Sequence, residues 1–100
     1  MQSVNRVELT ARLTQCGPLR HTPAGIPVFR FGLQHQSDVQ EAGSIRRVAL
    51  EISAVALGEL AESLSGLAPE SSVQVSGFLA PLHQRSTQLV LHVQAVAPAQ

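Results

Sequence analysis

One hundred residues, 44% of them hydrophobic, are enough for one domain (1–100) that buries about 60 to 65% of its unfolded surface and folds without staples. The single cysteine, Cys16, excludes an internal disulfide; no apolar leader or membrane-length run is present, so a cytoplasmic protein with no membrane association is expected. The formal net charge of zero argues against strong general affinity for nucleic acid.

Residues 4–15 alternate, with Val7, Leu9, Ala11 and Leu13 on one side and Arg6, Glu8, Thr10 and Arg12 on the other. That period of two predicts a half-buried strand with a solvated face. Gly17 and Pro18 end it. The stretch RHTPAGIPV (20–28) then brackets a glycine with two prolines. It is a stiff, shaped loop in which Pro23 starts a turn, Gly25 takes a positive φ, and Pro27 biases Ile26 toward an extended conformation.

A second strand is expected over 28–36, with Phe29, Phe31 and Leu33 inward and Arg30, Gly32, Gln34 and Gln36 outward. Gly32 on that face marks a close approach or a bend. The polar stretch 37–44, with Asp38, Glu41 and Gly43, is expected to be a loop. The third strand, 45–53, sets Arg46, Val48, Leu50 and Ile52 against Arg47, Ala49 and Glu51. The period then changes: Leu57, Leu60, Ala61 and Leu64 follow the i, i+3, i+4, i+7 spacing of a short amphipathic helix, with Ser53 as N-cap, Gly66 as stop and Gly58 as a weak point. Val73, Val75, Gly77 and Leu79 define a fourth strand, where Gly77 suits a bulge. The polar loop 81–87 bears His83 and Arg85. In the fifth strand, 88–96, Leu89, Leu91, Val93 and Ala95 alternate with Gln88, Val90, His92 and Gln94.

Three strands, a short helix and two strands predict an all-β protein: a five-stranded Greek-key barrel of the oligonucleotide/oligosaccharide-binding (OB) fold, with the helix between strands three and four. Ligands of such barrels lie on the second and third strands and on the loops after strands one and four. A ferredoxin-like sandwich needs a helix between its first two strands, and three prolines within 17–27 forbid one there.

The charges are unevenly spread. Residues 1–47 carry six arginines against Glu8, Asp38 and Glu41, net +3, whereas residues 48–100 carry Arg85 against four glutamates, net −3. Lysine is absent, so every fixed cation is a guanidinium, able to fork a phosphate or stack on a base. Tyrosine and tryptophan are absent too, which leaves Phe29, Phe31 and Phe78 as possible aromatic platforms. Phe29 and Phe31 share the core parity. In the proposed barrel Arg20, His21, Arg30, Arg47, His83 and Arg85 converge, and cations tracking a backbone are what single-strand binding requires. Solubility of exposed strand faces is the competing explanation of these arginines.

No catalytic constellation is found: CxxC, HExxH, GxSxG and P-loop patterns are all missing, so no enzyme, cofactor or small-molecule substrate is expected. Cys16, His21, His35, His83 and His92 match no zinc module. Glu59 and Glu62, at i and i+3, read as a solvated helix face.

By RHTPAGIPV followed by FRFGLQHQS, then QEAGSIRR, EISAVALG, VQVSGFLA and QLVLHV, the chain resembles the primosomal replication protein N (PriB) family along nearly its whole length. That family is similar to the bacterial single-stranded DNA-binding proteins. The resemblance implies a homodimer of OB barrels that binds single-stranded DNA and works with the restart helicase and the single-stranded DNA-binding protein. It also implies phosphate contacts from Arg20 or His21, Arg30, Arg46, Arg47 and Arg85; Gln34 and Gln36 on the outer strand face and His83 in the fourth loop are expected to complete the nucleic-acid-binding set. Some relatives carry a basic residue at the place of Gln36, a large aromatic at that of Ala49 and several lysines in the fourth loop. This chain is therefore expected to bind weakly and with strong salt sensitivity, or to lean on protein contacts as a scaffold. An open edge beside the first strand is the expected site of two-fold pairing.

Overall fold

The computed structural model describes residues 2–99. The chain runs β1 (Val7–Thr14), β2 (Arg20–His21), β3 (Pro27–Glu41), β4 (Ser44–Leu57), α1 (Glu59–Ser65), β5 (Ser72–Pro81) and β6 (Leu89–Pro98). β1 pairs antiparallel with β5 along its length and with β3 at its C-terminal end, from Arg12↔Gln34 to Thr14↔Gly32. β3 pairs with β4, β4 runs parallel to β6, and β6 returns to β5. The circle β1-β5-β6-β4-β3 is thereby closed. This is the expected OB barrel, with its one short helix between the third and fourth barrel strands.

Odd-numbered residues of β1, of the first half of β3 and of β5 point inward, as their alternation requires. Leu13, Phe29, Leu33, Leu64, Val75 and Leu91 are buried at its centre, and the Phe29 and Phe31 rings stack 5.1 Å apart. α1 packs over β3 and β4 through Ala61 and Leu64. The structure also places two backbone features where they were expected. Gly25 has φ +86° in the turn closed by its N–H donating to Thr22 O at 2.8 Å. What approaches Gly32 is β1 itself: a Cβ at Gly32 would stand 2.6 Å from Thr14 Oγ1.

Four local expectations are corrected. Arg20 and His21, assigned to a loop, form the two-residue β2 against Val28 and Pro27, so the proline-bracketed stretch is a miniature hairpin. Ser53 does not cap the helix: β4 continues to Leu57, and Gly58, at φ +75°, precedes α1 as its N-cap. Ala54, Val55 and Ala56 are buried on both faces of β4, so that stretch has no period-two signature to separate it from a helix. On β6, Ala95 is exposed and Val96 packs on the core. Ser76 opposes Ala95 while Gly77 opposes Val93, so Gln94 is the extra residue of a bulge and the inward parity flips beyond it.

The fourth correction is the largest. The polar stretch 37–44 is not a loop but the outer half of an unbroken β3–β4 hairpin, paired from Val28↔Leu57 to Glu41↔Ser44. Beyond Gln34 this arm leaves β1 and projects from the barrel, which stretches the molecule to 51 × 37 × 23 Å. His35 ties its root down: Nδ1–H donates to Thr10 O at 2.7 Å and Nε2 accepts from Ser37 Oγ at 2.8 Å. With no barrel core beneath it, the arm carries only a sparse apolar inner side that includes Val39 and Leu50, and the polar composition of 37–44 conceals its strands. Its two-residue turn has φ +52° at Ala42 and +83° at Gly43, the combination of a type I′ hairpin turn. Ala42 is strained there, so Ala42→Asn is expected to stabilise the protein by ~0.5 to 1 kcal/mol, read as a higher urea midpoint at unchanged slope.

Candidate nucleic-acid interface

Because the β3–β4 register has no slip, each face of the hairpin is set by parity. Arg30, Gln34 and Gln36 of β3 share the outer face with Arg47, which opposes Asp38. Arg20 opposes Val28 and so joins that face, whereas His21 opposes Pro27 and belongs to the other. Arg46 opposes Val39 and stands on the reverse face, where it pairs with Glu41 at 3.2 Å. Adjacent in sequence, Arg46 and Arg47 are thus separated by the sheet.

The outer face is not uniformly basic. Arg47 pairs with Asp38 at 3.5 Å, Arg12 donates to the Gln34 amide oxygen, and Thr14 Oγ1 donates to Glu51 Oε2 at 3.0 Å. Exposed pairs of this kind hold little energy and open readily to a competing phosphate. Arg20, Arg30 and Arg85 have no side-chain hydrogen bond or ion pair among the described residues. Arg12 and Glu51 were missed by the sequence reading as members of this face; their outward parity was legible, but their neighbours across the strands were not.

The loops complete the surface. Residues 15–17 and the 82–88 segment approach each other over β3 and β4, enclosing a cleft of about 310 Å³ whose walls include Gln15, Gly17, Arg30, Ser53, Leu82 and Gln88. Gly17 N–H donates to Arg30 O at 3.0 Å and Leu82 N–H to Gln88 O at 2.8 Å, so the first loop is fastened to β3 and the second is pinched at its base. His83 and Arg85 lie on the exposed turn beyond that pinch, closed by Ser86 N–H to His83 O at 2.9 Å. Arg30 and the base of the Arg85 loop therefore line one cleft; Arg20, opposite Val28, stands on the same outer face one same-side position before Arg30, and Gln34, Gln36 and Arg47 lead from the cleft along the arm.

A family model described as another single-strand binding protein family matches residues 5–95. The replication restart protein PriB of Bordetella pertussis is 50% identical over 91 residues, which cover 91% of this chain and 85% of that protein. The crystal structure of PriB from Ralstonia solanacearum superposes with a TM-score of 0.90 at 32% identity, covering 98% of this chain and all of that one. A small single-stranded DNA-binding protein from Streptomyces coelicolor shares the fold, at a TM-score of 0.73 and 18% identity. Identity of this extent, carried on the same closed barrel, means that the chain belongs to the PriB family of replication restart proteins, related to the single-strand binding proteins.

Proposed function

We propose that this chain binds single-stranded DNA through arginine–phosphate contacts at the cleft between its first and fourth loops, without catalysis, as an accessory of cytoplasmic replication restart. The observation that carries this reading is that Arg30 lines the cleft whose other wall is the base of the loop bearing Arg85, with Arg20 on the same outer face beside Arg30. The PriB and single-stranded DNA-binding names of its relatives agree with it. A strand leaving the cleft runs along the arm past Gln34, Gln36 and Arg47 and does not pass Arg46 on the reverse face. Phosphate tracking of this kind is tolerant of sequence and steeply dependent on salt.

The protein acts as a homodimer in this reading. In β1 the backbone groups of Leu13 turn to the β5 side, so those of Glu8 and the N–H of Thr10, whose carbonyl holds His35, face the side that β3 has left, an open edge available to a second copy. Beside that edge the inner side of the arm carries Val39, 47% exposed, and Leu50, 40% exposed, apolar surface that a two-fold partner covers. Two clefts on one dimer raise the effective concentration of DNA at the second. The restart helicase and the single-stranded DNA-binding protein are the partners between which the DNA is passed.

Labelled oligo(dT) and a duplex of equal length, titrated at two salt concentrations and followed by fluorescence anisotropy, test the reading. Preference for the single strand, falling steeply with salt, is the expected result. The balancing of Arg47 by Asp38 favours a second reading, a protein-interaction barrel without DNA affinity, and absence of binding at low salt would select it.

A further inference from the structure

One row of side chains crosses the outer face of four strands. Arg30 on β3 opposes Val55 on β4, Val55 lies beside His92 on β6, and His92 opposes Phe78 on β5. The Phe78 and His92 rings stack with centroids 4.9 Å apart and planes inclined by 10°. Both are half-buried, so their outer parts remain in reach of solvent, while Val55 between His92 and Arg30 is only 5% exposed. Arg30 stands exposed at the end of the row, without a side-chain partner among the described residues, and lines the cleft between the loops.

We propose that a nucleobase of the bound strand stacks on the Phe78–His92 ring pair while Arg30 holds the neighbouring phosphate, so that on the side of the cleft away from the arm the DNA path continues across β4, β6 and β5. This rests on the proposed single-strand binding. The chemistry of the row selects the occupant. The rings stack face to face, so the free π face on the cleft side of the stack is the side of His92 turned toward Val55. A fixed guanidinium two strand spacings from His92, roughly 10 Å away, supplies the counter-charge for a backbone. A planar, uncharged ring on an anionic chain satisfies both; an acidic peptide satisfies only the cation. Along the β3–β4 outer face beyond Arg30 the side chains are Gln34, Gln36, Asp38 and Gln40 of β3 against Ser53, Glu51, Ala49, Arg47 and Ile45 of β4, which offer no ring. The stacked pair therefore supplies the base contact that this face lacks, since every base has a π surface and stacking needs no sequence.

The test compares the parent protein with His92→Ala and His92→Phe, using oligo(dT) and an abasic oligonucleotide of equal length, each variant first checked for an unchanged circular-dichroism melt. His92→Ala is expected to weaken oligo(dT) binding about five- to a hundredfold, the range for losing one base stack, and to leave abasic binding unchanged. His92→Phe keeps the ring and is expected to stay within about twofold of the parent. Equal oligo(dT) affinities for His92→Ala and the parent would overturn the platform alone, as would equal losses on both oligonucleotides. A parent that binds neither overturns the functional reading, and this inference with it.

Discussion

Gly77→Ala is expected to lose ~3 to 5 kcal/mol of stability, enough to leave a domain of this size largely unfolded at physiological temperature. The reason is a single contact. A Cβ built at Gly77 falls 1.9 Å from the carbonyl oxygen of His92 and 2.8 Å from its carbonyl carbon, and both are backbone atoms that no rotamer change can move. Gly77 sits at the bulge where β5 and β6 shift register, between Val75 and Leu79 of β5, which pack on the core. Moving β6 outward would separate Leu91 and Val93 from that core as well. Urea denaturation of the variant against the parent measures the loss. A variant less than about 1 kcal/mol weaker would mean that the two strands have room the structure denies them.

Arg20→Ala, Arg30→Ala and Arg85→Ala combined are expected to reduce single-strand affinity at low salt by at least about a hundredfold, each arginine–phosphate contact being worth ~1.5 to 3 kcal/mol before overlap. The slope of log affinity against log salt should become shallower by roughly 2, three contacts at ~0.7 each. These arginines hold no side-chain bond in the described structure, so removing them breaks nothing in the barrel and the fold should persist. Arg46→Ala, on the reverse face and paired with Glu41 at 3.2 Å, is the informative comparison, with affinity and slope expected to match the parent. Anisotropy titrations over a salt series read both quantities. Unchanged binding in the triple variant would move the phosphate path away from the cleft.

The chain order of the barrel strands and the parity of most of them were determined by the sequence alone. The alternation in β1, the first half of β3 and β5 names the inward residues correctly, because a period of two admits one core face per strand. The order of strands around a single short helix is sufficient for the barrel, since the prolines before β3 exclude the rival topology. The outward set of Arg30, Gln34, Gln36 and Arg47 follows from the same counting.

Only the tertiary structure decided what depends on which strand lies beside which. A bulge at Gly77 reverses the last residues of β6, and nothing local in Ala95 or Val96 announces it. The burial of Ala54, Val55 and Ala56 on both faces removes the periodicity that separates a strand from a helix. In the arm the opposite holds: with no face buried beneath it, a paired strand reads as a loop. Phe78 and His92 each stand on an outward parity in the sequence, but they become a stacked pair only because β5 and β6 meet in a register fixed by packing on both sides. The cleft has the same origin, since residues 15–17 and 82–88 are brought together by closure of the barrel, a long-range event that no window of sequence contains.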